Sequence, residues 1–423
     1  LPPLSTELKD PLLAGDDAVV LQNLFRHIDC SGTGRATIND LSSAFVMCGL
    51  SQNDERLMEF VDALRTGEEF DREMFVAAGL AQSSSSIALL RQALTGQLVV
   101  PDFNSLKSSI GDIYAQIGSS TCEAAVPAKT YSSWRQSITD EKAFGIGCCT
   151  VSGQRCSFGA SRQTIPVAEL TAALNYCLAQ DLRGVSTVHA HTGHEPSGRA
   201  TEDLALNDDN KPHNPLVNTG AIVSCALIDP NRPTDERFDR IQSTYREAAG
   251  GSRIGYCNQH FARERRDSDR SYCLAYMLRE KGCFPTDDTT STGLPVQETL
   301  DLFFMANSIE MDAEALSVVA ATLANNGVCP ITNKRVFSAL AVRNCLSMMS
   351  SCGLGDFSGE FAFHVGLPGK SSRSGFTLLV VPSVLGICVW SPQLDKAGNS
   401  VRGVRFAQEL VSRFNFHAFE HGT

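Results

Sequence analysis

Apolar residues recur every three or four positions through the first part of the chain. This spacing predicts short amphipathic helices between residues 17 and 80. The residues that carry this spacing are Val19, Leu21, Leu24, Phe25, Ile28, Leu41, Phe45, Val46, Leu57, Phe60, Val61 and Leu64. The same spacing resumes after a serine-rich stretch at 82–86. We therefore predict a helical domain over residues 1–100.

The remaining residues, 101–423, combine strand patterns at both ends with helical patterns between them. Residues 144–158 read as a β-hairpin around a Ser-Gly turn, and residues 377–390 read as a second hairpin around a Pro-Ser turn. A helix is predicted at 404–414. Strands at both ends of a domain favour pairing in one antiparallel sheet, so we predict an α/β domain of the α+β type.

The charge balance limits the partners of the protein. The 423 residues include 36 basic and 47 acidic side chains, which gives a net charge of -11. Such a surface repels phosphate backbones and anionic lipid headgroups. The sequence also lacks an apolar run of about 18 residues, the length that crosses a bilayer. We therefore expect neither nucleic acid nor a membrane as a partner.

The chain contains 15 cysteines, and they are scattered singly rather than spaced as a framework. We expect those in apolar segments, such as Cys177, Cys225, Cys273, Cys345 and Cys388, to pack as small buried side chains. An odd number of scattered cysteines favours thiols in a reducing compartment. Because no cysteine or histidine cluster has metal-ligand spacing, we predict no zinc site.

A twelve-residue segment at 29–40 has the length and the central glycine of an EF-hand calcium loop. Its metal-binding positions carry Asp29, Ser31, Thr33 and Asp40. Calcium loops use charged oxygens at the early positions and a bidentate glutamate at the twelfth. These four residues are therefore a weak calcium candidate, and we expect a helix pair that keeps the turn without the ion.

Four segments of the second domain are more specific than any periodicity. They read EPSG at 195–198, NKPHNPLVNTGAI at 210–222, AATLANNGVCPIT at 320–332 and DFSGEFAFHVGLPGKS at 356–371. Together they resemble the glutaminases of the animal kidney and liver kind, which hydrolyse glutamine to glutamate and ammonia. The resemblance extends over essentially the whole chain, because those enzymes also begin with an EF-hand-like helical domain.

The resemblance implies a β-lactamase-like fold, assembly into tetramers, a propensity to polymerise and a mitochondrial location. A reducing cytoplasm is the alternative location. We expect a homo-oligomer, either tetramer or filament, with an active glutaminase paralogue as a further partner, and we expect no cofactor. The sequence begins at Leu1 without a methionine, so any transit peptide is expected to have been removed or to lie outside it.

The resemblance also locates the reaction centre. Acyl transfer from an amide needs a hydroxyl nucleophile, a base and donors for the oxyanion. In this superfamily a Ser-x-x-Lys turn at a helix start supplies the first two, and the corresponding positions here are Glu169 and Ala172. No lysine in the chain has a serine three residues before it. The resemblance therefore implies a catalytically degenerate member, a pseudoenzyme.

Other positions of the reaction centre have changed in the same direction. Two tyrosines of the family correspond to Gly355 and Phe303, and an asparagine that contacts the substrate corresponds to Ser271. Where the family has small residues near the oxyanion-binding amide, this chain has Arg373. We hypothesise that Glu169 and Arg373 neutralise one another inside the former site.

Some substrate-binding positions are retained. The resemblance matches Asn218 and Glu264 to such positions, and it matches Tyr131 to a further tyrosine. Each has a structural alternative: Asn218 would satisfy backbone groups in a buried turn, and Glu264 would form a solvated ion pair among its neighbouring arginines. Together with Asn218, the cations Lys370 and Arg373 are a candidate set for holding a carboxylate.

Three classes of function fit these observations. The first is a glutaminase-fold pseudoenzyme with a structural or regulatory role through homo-oligomer or filament assembly. The second is a glutaminase with weak or altered activity that uses another nucleophile. The third is a sensor of small anions or calcium. The loss of several reaction-centre residues, while the scaffold segments remain readable, favours the first.

Overall fold

The computed structural model describes residues 17–29, 31–65, 67–120, 140, 142–198, 204–285 and 295–420. Tyr131, one of the predicted substrate-binding residues, lies outside these ranges. The chain separates into two compact units, of which the first ends at Lys107 and the second begins at Ser108. The boundary lies inside the helix Phe103–Ser119, which is numbered α6.

In the described part of the first unit, short helices alternate with two three-residue strands. The helices are α1 (Asp17–Phe25), α2 (Ile38–Met47), α3 (Met58–Leu64), α4 (Arg72–Leu80) and α5 (Ser84–Leu94). The strands β1 (Arg35–Thr37) and β2 (Glu69–Asp71) pair antiparallel. The unit is thus a pair of helix–loop–helix motifs joined through their loops, and the helices that the apolar spacing predicted are confirmed.

Aromatic side chains fill the centre of the first unit. Four rings, each at most 1 % exposed, lie with their centroids 5.1 to 6.3 Å apart: Phe25, Phe60, Phe70 and Phe75. Val19 and Val46, which share the helical apolar spacing, are each 49 % exposed. Leu21 sets the buried face of α1, and Val19 lies roughly 200° around the helix from it.

The loop after α1 directs its carboxylates at its own backbone. Asp29 accepts the N–H groups of Thr33 and of the residue after it, at 3.1 and 2.9 Å. Asp40 caps the start of α2 by accepting the N–H and the hydroxyl of Thr37, at 2.8 and 2.7 Å. The hydroxyls of Ser31 and Thr33 lie 3.0 Å apart and share a hydrogen bond. The four candidate calcium residues therefore stabilise the loop itself.

A five-stranded antiparallel sheet lies at the centre of the second unit. In sheet order its strands are β4 (Arg155–Gly159), β3 (Gly145–Thr150), β10 (Leu385–Trp390), β9 (Phe376–Val381) and β8 (Gly369–Ser371). Both predicted hairpins are confirmed, as β3 with β4 and as β9 with β10. The strands β3 and β10 also pair antiparallel, so the prediction of one sheet formed by the two ends of the domain is confirmed.

A smaller sheet and a set of helices complete the second unit. The small sheet has the order β5 (Ile165–Pro166), β7 (Ile309–Met311) and β6 (Gly255–Tyr256). The helices after α6 are α7 (Thr171–Arg183), α8 (Val185–His191), α9 (Asn218–Leu227), α10 (Thr234–Ala248), α11 (Asn258–Asp267), α12 (Asp269–Glu280), α13 (Val296–Asn307), α14 (Ala313–Ala324), α15 (Ala339–Cys352), α16 (Ser358–His364) and α17 (Val401–Arg413). The helix predicted at 404–414 is confirmed as α17, which begins earlier because the Ser400 hydroxyl accepts the N–H of Gly403.

Helix α14 lies directly against the two central strands, β3 and β10. Close approach is possible because Gly386 has no side chain: a β-carbon there would lie 2.2 Å from the backbone nitrogen of Ala321. A helix on an antiparallel sheet is the α+β arrangement that the sequence predicted.

Most of the cysteines singled out in the sequence are buried in the second unit. Cys177, Cys225, Cys345 and Cys388 are each 0 % exposed. Cys273 is exposed, so the prediction for this residue is wrong; the buried face of α12 is formed by its neighbours. Among the described residues, no helix combines the length and the apolar character that crossing a bilayer requires.

Candidate functional site

Glu169 lies on a short turn at the entrance to helix α7. The 3-10 turn Ala168–Leu170 follows β5, and the N–H of Val167 donates to the carbonyl of Ile309 on β7 at 2.8 Å. Ala168 adopts a φ of +49°, a left-handed conformation that costs a non-glycine residue about 1 kcal/mol or more. The turn thus holds Glu169 in a fixed position with strained backbone, a feature that is concentrated at functional sites.

The first turns of α7 are buried in the core of the second unit. Ala172 is 2 % exposed among apolar neighbours. The Thr171 hydroxyl donates to Asn307 Oδ1 at 2.7 Å, and the Tyr245 hydroxyl donates to Asn175 Oδ1 at 2.8 Å. Position 172, where the family resemblance implies a lysine, therefore carries a methyl group that cannot accept a proton.

The turn between β8 and β9 brings a hydrogen-bond donor to Glu169. The backbone N–H of Arg373 donates to Glu169 Oε2 at 2.9 Å. The turn is held in place by the indole of Trp390, which donates to the carbonyl of Ser374 at 3.0 Å. The sequence suggested a partnership between Glu169 and Arg373. The backbone N–H of Arg373 binds the carboxylate, and the charge of its side chain acts on the same group.

Lys370 is a buried cation beside the same carboxylate. Lys370 is 5 % exposed, and its Nζ donates to the carbonyl of Ser371 at 2.7 Å. Burial lowers the pKa of Lys370 to about 8, although the negative charge of Glu169 opposes that decrease. Lys370 is therefore largely protonated at neutral pH.

The Glu169 side chain is stabilised as an anion. Burial by itself raises its pKa, but the charge of Arg373, the Arg373 N–H and the charge of Lys370 outweigh burial and lower the pKa below its ordinary value. Opposite charges and hydrogen bonds to the ionised form act in the same direction. Glu169, Lys370 and Arg373 thus form a cluster of one anion and two cations.

Little space remains around this cluster. The adjoining cavity has a volume of about 40 Å³, and its lining includes Glu169, Asn218, Gly355, Lys370 and Arg373. A cavity of this size holds at most a few water molecules. Gly355 has a φ of +61°, a conformation that suits glycine better than the tyrosine implied by the resemblance. Five of the sequence-predicted residues therefore meet around one small cavity.

Three other predicted positions lie outside this lining. Phe303 is 4 % exposed in the apolar core, with its ring centroid 5.7 Å from that of Phe304. Glu264, on α11, accepts the hydroxyl of Ser268 at 3.3 Å. Ser271 is 8 % exposed, and its N–H donates to the carbonyl of Ser268 at 2.8 Å. These contacts are local ones that stabilise the helices and the core.

A buried histidine lies near enough to Glu169 for their charges to interact. His260 is 3 % exposed, and its Nδ1 lies 2.9 Å from Ser308 Oγ. The Ser308 hydroxyl donates its hydrogen to the carbonyl of Phe304. The Ser308 oxygen therefore accepts the hydrogen bond from the Nδ1–H of His260. Burial lowers the pKa of His260 to about 4, while the charge of Glu169 opposes this, so the ring is neutral at physiological pH. No motif surrounds His260 in the sequence, and sequence reasoning missed it.

The chemistry of the cluster suits anions. Within the described ranges, no group of three or more histidine, cysteine, aspartate or glutamate residues is arranged to hold a metal ion. The cluster instead offers an aligned N–H and two cations, which together favour a carboxylate. At positions 169 and 172 it offers neither a hydroxyl nor an amine.

Sequence comparisons identify proteins that are similar to this chain. A profile of the glutaminase family matches residues 136–419. The mitochondrial liver isoform of glutaminase from Mus musculus is 39% identical over 411 residues, which cover 95% of this chain and 65% of that protein. Putative glutaminase 3 of Caenorhabditis elegans is 36% identical, over 92% of this chain and 66% of that protein. The chain thus spans about two thirds of the length of these relatives.

Solved structures agree with the observed architecture. A structure described as the probable glutaminase ybaS superposes with a TM-score of 0.69 at 28% identity, covering 76% of this chain and 100% of that one. The native form of Mglu superposes with a TM-score of 0.67 at 26% identity, covering 75% of each chain. The predicted fold class, a β-lactamase-like glutaminase domain with an antiparallel sheet flanked by helices, is confirmed. The chain therefore belongs to the glutaminase family.

Proposed function

We propose that this chain is a glutaminase-family scaffold that does not hydrolyse glutamine and that acts by assembling with copies of itself or with an active relative. The observation that carries the proposal is the Glu169 carboxylate, which stands where the family resemblance implies the serine nucleophile and accepts the Arg373 N–H at 2.9 Å. About one helical turn later, the buried Ala172 stands where the family resemblance implies the lysine that accepts the proton of the serine.

The chemistry of amide cleavage supports the proposal. A carboxylate held by two cations is a weak nucleophile, and its attack on an unactivated amide would have to form a high-energy anhydride. The Arg373 N–H, which would stabilise an oxyanion, already binds Glu169. Removing the nucleophile and the base from a related kind of enzyme leaves only about 10³–10⁴-fold acceleration over water. A rate useful for metabolism is therefore not expected.

The size of the site weighs against the sensor alternative. A cavity of about 40 Å³ is much smaller than the pockets of about 300–1,000 Å³ that ordinarily hold small-molecule ligands, which disfavours glutamine or glutamate as its ligand. The calcium alternative is also weakened, because the carboxylates of Asp29 and Asp40 bind backbone groups of their own loop.

Some large apolar side chains of the second unit are exposed: Tyr276, Leu340, Phe363 and Phe419 are 51, 46, 78 and 83 % exposed. Single exposed apolar residues are common on protein surfaces, so the assembly role rests on the loss of the reaction-centre residues and not on these side chains. Relatives from mouse and rat are described as mitochondrial, and we propose the same compartment for this chain.

Two measurements test the proposal. Ammonia release from glutamine by the purified protein is compared with that of a heat-treated sample and of an active family member, and we expect a rate equal to the heat-treated control. Turnover comparable to the active enzyme would overturn the loss of hydrolysis. Electron microscopy and mass photometry should show tetramers or filaments, and a strict monomer at micromolar concentration would remove the assembly role.

A further inference from the structure

We infer that the Glu169 side chain is a tethered ligand of a carboxylate-binding site, and that this site takes free acetate or formate once the side chain is shortened. The site consists of the Arg373 N–H together with the cations of Lys370 and Arg373. This site is the one described under the proposed function, and the inference rests on that proposal only in taking the site as unable to hydrolyse glutamine.

The hydrogen-bond donor of this site is held in position independently of Glu169. The Arg373 N–H belongs to the turn between β8 and β9, where Trp390 Nε1 donates to Ser374 O at 3.0 Å. The Arg373 side chain runs along Gly398, since a β-carbon on that glycine would lie 3.7 Å from Cγ and 3.8 Å from Nε. Removing the Glu169 carboxylate therefore leaves a donor that is already oriented, which is what an anion site requires.

The positive charges of Lys370 and Arg373 favour an anion in this site. Lys370 is 5 % exposed, and a buried ammonium group is unfavourable unless it has a counter-charge. The carboxylate of Glu169 supplies that charge, because it raises the Lys370 pKa against the effect of burial. Loss of Glu169 would leave Lys370 and Arg373 close together without this partner.

The shape of the vacated space identifies the ligand class. Replacing Glu169 with alanine removes one methylene and one carboxylate, which are the heavy atoms of acetate. The space gained adjoins the cavity of about 40 Å³, so acetate or formate, which has no more heavy atoms than the substitution removes, fits there. In the natural protein the site is filled by its own chain, so it does not respond to free carboxylates.

The experiment measures the melting temperature of the full chain in rising sodium acetate or formate, with sodium chloride adjusted to keep the ionic strength constant. Glu169→Ala is expected to melt below the wild type and to recover by about 2 °C or more in a saturable way. Glu169→Gln is the matched control, because its neutral side chain still fills the space and should give no response. Adding Lys370→Met to Glu169→Ala should abolish the recovery.

Equal shifts in the wild type, Glu169→Gln and Glu169→Ala would overturn the inference, as would the absence of any shift in Glu169→Ala. If Glu169→Ala does not fold, Glu169→Ser leaves nearly as much space and replaces it. If neither folds, NMR measures the pKa of the Lys370 ammonium group in the wild type and in Glu169→Gln. An unchanged Lys370 pKa would overturn the inference. Failure of the acetate response leaves the ammonia assay unaffected, so the two proposals fail separately.

Discussion

The hydroxyl of Thr171 donates to Oδ1 of Asn307 over 2.7 Å, which joins the first residue of α7 to the last residue of α13. Both residues are buried, at 1 and 5 % exposure. Thr171→Val keeps the shape and leaves the Asn307 oxygen without this donor, so we expect the free energy of unfolding to fall by about 1–3 kcal/mol. Urea denaturation measures this loss. Thr187→Val, on the partly exposed surface of α8, is the control and should change it by less than about 0.5 kcal/mol.

Glu169 should contribute to acid sensitivity. Its pKa in the fold lies below the ordinary value of 4.5, so the unfolded chain takes up the proton first as the pH falls. The stabilisation is complete above the ordinary pKa and is lost as the pH falls through the lowered one. Between about pH 6 and pH 3, the wild type should therefore lose more unfolding free energy than Glu169→Gln.

Urea denaturation at several pH values tests this difference. Lys370 stays charged across that range. His260 has a pKa of about 4 that the charge of Glu169 raises, so its titration is followed by NMR in both proteins and its contribution is subtracted. Parallel pH profiles for the wild type and Glu169→Gln would contradict the expected role of the carboxylate.

Restoring the missing serine and lysine should not restore turnover. In Glu169→Ser/Ala172→Lys the new amine would enter a position that is 2 % exposed among apolar neighbours, which is unfavourable for a charge. Gly355 and Phe303 would still lack the hydroxyls that the family resemblance implies. We expect the ammonia release to stay at least about 10³-fold below that of an active relative, and we expect the protein to lose stability to urea. Activity within tenfold of the relative would mean that only the two residues were missing.

Asp29 should stabilise its loop without calcium. Because its carboxylate accepts two loop N–H groups at 3.1 and 2.9 Å, Asp29→Ala should lower the unfolding free energy of the first unit. Melting curves recorded with calcium and with a chelator should coincide for both the wild type and the variant. A calcium-dependent rise in the wild type that Asp29→Ala abolishes would instead establish an ion site.

Gly386 should be intolerant of any side chain. A β-carbon there would meet the backbone of α14 at 2.2 Å, and backbone cannot move aside as a flexible side chain can. Gly386→Ala is expected to lower the unfolding free energy by at least about 2 kcal/mol. Gly359, on α16, has no neighbouring atom within 4 Å of the same position, so Gly359→Ala should be neutral or slightly stabilising in the same urea measurement.

The sequence predicts the elements of this fold better than their exposed faces. The hairpin of β9 and β10 was predictable because both strands and the turn between them are adjacent in the chain. Val46 is apolar and follows the buried Phe45, yet it is exposed, because the adjacent position on a helix points about 100° away. Cys273 fails for the same reason, since composition does not indicate which side of α12 faces its neighbours.

For the site, the family resemblance identified the positions and the structure supplied the contacts. Glu169 and Arg373 lie 204 residues apart, and they meet through a backbone N–H, a group that almost every residue carries. The sequence suggested the pairing from the charges of the two side chains, whereas the backbone hydrogen bond could not be predicted from residue identities. The burial of Lys370 and the proximity of His260 to Glu169 likewise depend on the packing of helices and strands that are distant in the chain.

The pairing of β3 with β10 limits how early the central sheet can fold during synthesis. All six residues of β3 are buried in the finished fold, but their partners in β10 follow most of the second unit in the chain. During synthesis the ribosome therefore exposes an apolar strand long before its neighbour emerges. Pairings of such long range are slow to form and leave intermediates that aggregate readily. Chaperones that shield nascent chains are consequently expected to raise the yield of the folded protein.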